Sequence, residues 1–126
     1  MEKDIRKHLI ELARLRTTRS YSQVNDVLML GLDFSNDYHR SLVGEWLGNI
    51  SAHEFEKGRP LLSALVTHKN GQREQGDGFY KLCADLLGKN WEDLKKDKEW
   101  ENGVIAKCYE FWLDKENFKN FENDFK

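Results

Sequence analysis

Proline occurs once in the 126 residues, and cysteine twice. No apolar run approaches the ~20 residues that a membrane-spanning helix needs. The opening "MEKDIRKHLIELARL" carries charges throughout its apolar positions and has no signal-peptide core, so a cytoplasmic protein is expected. Cys83 and Cys108 belong to no CxxC pair and no Cys/His cluster with metal spacing, which leaves two core thiols as the expectation. A basic excess is missing too. The formal net charge of −2 argues against strong non-specific affinity for nucleic acid, because that affinity scales with the phosphates neutralised, and leaves any such contact to a local basic face.

Several chemical motifs are also missing. Gly76-Asp77-Gly78 precedes a helical stretch, but there is no GxxxxGK[ST], and Lys81 stands where the third glycine of GxGxxG belongs. "HEFE", His53–Glu56, lacks the second histidine of HExxH, and His39 and His53 have no evident third ligand. These two are expected to be solvated. Ser63 and His68 occupy odd and even positions of one extended run, so they point to opposite faces and cannot cooperate. No catalytic residue, metal site or cofactor is assigned.

What is present is a helical pattern. Ile5, Leu9, Leu12 and Leu15 follow helical spacing, with Lys3, Lys7 and Arg14 on the other side. "SYSQ" fits a capping box, with Ser20 as N-cap and Gln23 as its reciprocal partner. A helix from there carries Val24, Val27 and Leu28 to a stop at Gly31. A third helix runs from Asn36 or Asp37 to Glu56, with an apolar face of Leu42, Val43, Trp46, Leu47 and Ile50 and a stop at Gly58. Gly44 and Gly48, four apart within it, predict a groove for a close neighbour. "LLSALVTH" reads as a buried strand, Leu61–His68, and a glycine-bearing loop then leads to a helix capped by Asp77 and ended by Gly88. One or two helices follow, with Trp100, Val104, Cys108 and Trp112 on one stripe and Phe118, Phe121 and Phe125 on another. The expectation is a single domain, mainly α with a small β element. It divides into a helical part (1–57), a strand, wing loop and helix (58–90), and C-terminal helices (91–126).

Helix, capped helix, tight turn, longer helix, strand and loop is the order of a winged helix-turn-helix, in which the helix after the turn enters the major groove of DNA. Asn36, His39 and Arg40 would then read bases, and Lys69 and Arg73 on the wing would hold phosphate. Residues 1–20 add a basic face, with six bases against three acids. Asp33, Asp37 and Glu45 work against this reading by repelling phosphate. Residues 91–126 carry seven lysines against ten acids, and the Phe118, Phe121, Phe125 stripe offers an apolar patch of the kind that marks interfaces. An immunity, inhibitor or adaptor protein that binds a protein partner through this segment or through the wing is therefore the alternative. A third reading, a nuclease-associated subunit, rests on Glu54, Glu56 and Lys57 just before the strand.

The layout "YSQV…RSLVGEWLGNI…RPLL" resembles the winged-helix part of the DNA alkyltransferase proteins, whose reactive cysteine lies in a Pro-Cys-His-Arg motif. Here Pro60-Leu61-Leu62-Ser63 stands in that place, which excludes alkyl transfer and leaves a likeness of architecture. "GRPLLSALVTHKNG…GDGFYKL" followed by "YEFW" resembles a group of small, uncharacterised bacterial proteins with a GRPLLSALV…GxGF…YxFW pattern. That resemblance covers roughly Tyr21 to Trp112 and implies a mobile-element or defence setting. Together these point to a non-catalytic, winged-helix-type binding protein.

Overall fold

The first apolar stripe folds as α1, Glu2–Arg14, in the computed structural model, which describes residues 1–67 and 77–125. Ile5, Leu9 and Leu12 face inward as their spacing requires. Leu15 does not: it is the C-cap, 69% exposed, and the chain turns away through Arg16 in the left-handed region. A two-residue strand, β1 (Arg19–Ser20), follows. Ser20 then serves as N-cap of α2, Tyr21–Val27, with both hydrogen bonds of the capping box present. That helix stops earlier than Gly31, because Met29 takes a left-handed φ of 53°.

The next helix, α3, spans Asp37–Glu56 from an Asn36 N-cap to a left-handed Gly58 just past its end. Val43, Leu47 and Ile50 are buried, while Leu42 and Trp46 are only partly covered. The expected glycine groove is half realised. Leu82 approaches Gly48 to 3.9 Å of where a Cβ would sit, but among the described residues nothing lies within 4 Å at Gly44.

The run read as a strand from Leu61 to His68 is mostly something else. Leu62–Leu65 form a short 3₁₀ helix, and among the described residues of the run only Val66–Thr67 form a strand, β2. β2 pairs in parallel with β1, Arg19 opposite Val66 and Ser20 opposite Thr67. Parallel pairing fits the long crossover through α2 and α3 between the two strands. Every residue from Leu61 to Thr67 is buried, as expected. The 3₁₀ helix packs against α1, α3 and α6 (Lys98–Leu113). Its polar groups are met inside: the Ser63 N–H donates to Ser51 Oγ at 3.1 Å, the two serine hydroxyls lie 2.6 Å apart, and Cys108 Sγ donates to Leu61 O at 3.4 Å. Ile5, Leu9, Ile50, Leu62 and Leu65 are fully buried, each contributing about 1.5–3 kcal/mol relative to exposure.

After residues 68–76 the chain continues as α4, Asp77–Leu87, which ends at the left-handed Gly88. Asp77 pairs with Lys95 on α5, Trp91–Lys96. Where one or two helices were expected, the described residues of the remainder hold three, α5, α6 and α7 (Lys115–Phe121), because each is begun by its own Asn or Asp N-cap: Asn90, Asp97 and Asp114. On α6 the core side is Glu101, Ile105, Cys108 and Trp112. The expected stripe of Trp100, Val104, Cys108 and Trp112 is thus rotated slightly, leaving Trp100 and Val104 partly exposed. Among the described residues no helix is long and apolar enough to cross a membrane.

Candidate functional site

The start of α3 brings Asn36, His39 and Arg40 together, and each already has an internal partner. Asn36 Oδ1 accepts from the N–H groups of Tyr38 (2.8 Å) and His39 (3.3 Å) as the helix cap. His39 Nδ1 accepts from the Asp33 N–H at 2.8 Å, so the ring closes the turn rather than standing free in solvent. Arg40 pairs with Asp37 and donates to Phe34 O. Asp33 in turn accepts from the Ser35 hydroxyl (2.6 Å) and N–H (3.0 Å), which holds its carboxyl below the usual range. Asn25 fixes the other side of the turn through both the N–H and C=O of Leu32. Lys69 and Arg73, the proposed phosphate contacts, lie outside the described residues, as does His68.

Of the six bases of the basic face expected over residues 1–20, Lys3, Lys7 and Arg16 are exposed, while Arg14 and Arg6 are engaged inside the protein. Arg14 donates to Trp112 O at 2.8 Å and lies 3.9 Å over the Phe118 ring. Arg6 is 1% exposed. Its guanidinium meets Glu54, itself fully buried, through Nε–Oε2 at 2.9 Å and Nη2–Oε1 at 3.4 Å. Arg59 meets the same carboxylate from the other side, Nε–Oε1 at 2.9 Å and Nη2–Oε2 at 3.2 Å. Burial works to lower the Arg59 pKa, and its hydrogen bonds to Glu54 and Asp124 overcome that and raise it. Glu54 is therefore closed off as a metal ligand. Among the described residues no group of three His, Cys, Asp or Glu could hold a metal ion.

The two arginines also hold the C-terminus. Arg6 donates to Phe121 O (2.9 Å) and Glu122 O (2.7 Å), and Arg59 to Asp124 Oδ2 (2.8 Å). The three phenylalanines assigned to a partner fold onto the body of the protein and are partly buried. Phe118 lies under Arg14, Phe121 under Arg59 and stacked on Phe111, and Phe125 beside Arg6 and edge-on to His53. His53 also contacts Asp124 O at 3.0 Å, so it too is not free in solvent. Both thiols are buried. Desolvation pushes Cys83 up to about 12 and Cys108 further in the same direction, well outside the range of a nucleophilic thiol.

An open groove of about 620 Å³ lies between the end of α3, the Gly58–Leu61 crossing, the end of α4, and α6. Phe55, Pro60, Leu87, Trp100, Val104 and Phe111 give it an apolar lining. Phe55 and Leu87 are 39% and 36% exposed there. Lys107, Glu110 and Asp114 add charge, and Asn117 of α7 closes one side. Among the described residues neither Lys107 nor Glu110 forms an ion pair. None of these residues was singled out as a binding residue from the sequence. The available signal was weak: Trp100, Val104 and Phe111 sit at the edge of the buried face of α6, and Phe55 lies off the stripe of α3. No family model, curated protein or solved structure matches the chain.

Proposed function

We propose that the protein is a non-catalytic interaction protein that holds a segment of a partner protein in the groove between α3 and α6. One observation carries this reading: partly exposed aromatic and aliphatic side chains line a groove of about 620 Å³ beside charges that have no ion-pair partner among the described residues. Concave apolar surfaces with a few polar groups are where proteins take ligands and partner segments. An adaptor, inhibitor or immunity role fits a chain of this kind. The test compares pull-downs with the wild-type chain and with Val104→Glu, after urea unfolding has shown the variant to be folded. A partner recovered by the wild type and lost by the variant supports the groove. A partner captured equally by both removes it.

DNA is the second reading, favoured by the order α1, β1, α2, tight turn, α3, 3₁₀ helix, β2, which suits a winged-helix-type domain. Under it the start of α3 enters the major groove, and Lys69 and Arg73 follow β2 onto phosphate. Asn36, His39 and Arg40 would have to exchange internal hydrogen bonds for base contacts, beside Asp33 and Asp37. That cost is why the protein partner comes first. A duplex gel shift at low salt, weakened by Arg40→Ala and Arg73→Ala, would restore DNA to the lead; no shift with random-sequence duplex would end this reading.

A further inference from the structure

We propose that the segment held in the groove is cationic and amphipathic, with lysine or arginine beside leucine or an aromatic residue; this rests on the groove reading above. Two helices end at the groove, and α6 runs along it from Trp100 in its first turn to Asp114 at its end. The last turn of α3 reaches it at Phe55 and Gly58, α4 at Leu87, and α6 at Glu110, Phe111 and Asp114. The ends of α3 and α4 bring partial negative charge to the groove, reduced where Glu54 O, Phe55 O and Ala84 O accept capping N–H groups, while the two ends of α6 offset each other. The side chains add to this field. Glu110 and Asp114 contribute two carboxylates against Lys107. The fourth charged lining residue, Arg59, is already balanced: Arg6 and Arg59 face Glu54 and Asp124. Among the described residues two helix starts also reach the groove, that of α6 at Trp100 and that of α7 at Asn117, and each is already capped by a carboxylate: Asp97 accepts from the Trp100 N–H at 2.9 Å and Asp114 from the Asn117 N–H at 3.0 Å.

The apolar lining completes the recognition. Trp100, Phe111 and Phe55 suit both a leucine-sized anchor and the methylene stem of a lysine or arginine. Their rings also attract a cation directly. An acidic or purely apolar segment would meet the same floor without the charge complement. A nucleic acid would meet the wrong sign of field.

The experiment uses three short amphipathic peptides with the same leucine and phenylalanine positions, their polar positions filled by lysine, glutamine or glutamate. Binding is read by fluorescence anisotropy, and location by backbone amide shifts in the full chain. The lysine peptide should bind about tenfold more tightly than the glutamine one, the glutamate peptide least, and added salt should narrow the gap. Glu110→Lys should weaken the lysine peptide about fivefold, and Lys107→Gln should strengthen it slightly. Glutamine and lysine peptides that bind equally, or a lysine peptide indifferent to Glu110→Lys, would overturn the charge assignment and leave the groove standing. If no peptide shifts the amides of α6, the groove itself is lost and this proposal goes with it.

Discussion

Replacing Glu54 by glutamine should destabilise the protein more than any other single polar change. Its carboxylate accepts four guanidinium hydrogen bonds at 2.9, 3.4, 2.9 and 3.2 Å, from two arginines 1% and 6% exposed. Glutamine keeps the shape but removes the charge, and its NH₂ must face a guanidinium that also donates. Removing one member of a buried ion pair costs about 3–5 kcal/mol, because the charge left behind stays desolvated. Domains of this size are stable by only ~5–15 kcal/mol, so the loss is a large share of the total. With a urea slope of ~2 kcal/mol/M, the unfolding midpoint should fall by about 1.5–2.5 M at unchanged slope. Tryptophan emission is a suitable probe, since Trp112 lies 5.6 Å from the Arg6 guanidinium. A midpoint shift below ~0.5 M would refute the reasoning, because it would mean that the arginines find water or carbonyls at little cost. Replacing Arg6, Glu54 and Arg59 together by apolar residues offers a contrast. Buried triads elsewhere tolerate that exchange. Here the arginines also hold Phe121 O, Glu122 O and Asp124, so hydrogen exchange should show residues 121–125 released even if the core survives.

Two further outcomes follow from the groups around that network and from the thiols. The hydrogen bond from Arg59, with its charge behind it, holds the Asp124 carboxyl below the ordinary aspartate range. A depressed carboxylate contributes stability that is complete above its unfolded pKa of 3.8 and is lost as pH falls through the lower folded value. Asp124→Asn should therefore flatten the acid limb of a stability-against-pH curve below about pH 4; an unchanged limb would argue against the pair. Cys83, raised to about 12, and Cys108, raised further, should resist an aromatic disulfide reagent at pH 8 in the native protein and react fully in urea. Fast native reaction would mean that the core opens locally.

The elements that were readable from the sequence are those specified by neighbours in the chain. The Ser20–Gln23 box, the Asn36 cap and the stops at Gly58 and Gly88 each depend on residues within one turn, and each formed where the pattern placed it. Leu61–Thr67 failed for the opposite reason. A run that is apolar on every side carries no period, so a buried 3₁₀ helix and a buried strand look alike. What decided between them was distant: the Ser51 hydroxyl meeting Ser63, and β1, a strand of two residues with no apolar pattern of its own. Arg6 shows the same limit. Nothing near it in the chain marks it as buried, because its partners are Glu54 and the carbonyls of Phe121 and Glu122, 48, 115 and 116 positions away.

Legibility of the site follows the same division. Asn36, His39 and Arg40 have the side chains to read bases, but a donor or acceptor is informative only while it is unclaimed, and here a turn of eight residues, Asp33–Arg40, claims all three. Phe118, Phe121 and Phe125 are the aromatic counterpart, each set against an arginine of the body. The GRPLLSALV stretch then acquires a physical meaning. Arg59 completes the buried triad, Ser63 meets Ser51, and Leu61 to Val66 fill the centre between α1, α3 and α6. Its residue choices are dictated mainly by packing, so the most distinctive stretch of the sequence reports on how the chain is built. Under the proposed function, binding information belongs instead to side chains that packing leaves partly free or exposed. Trp100, Val104, Lys107 and Phe111 on α6 meet that condition, with Phe55 and Leu87 across the groove from them.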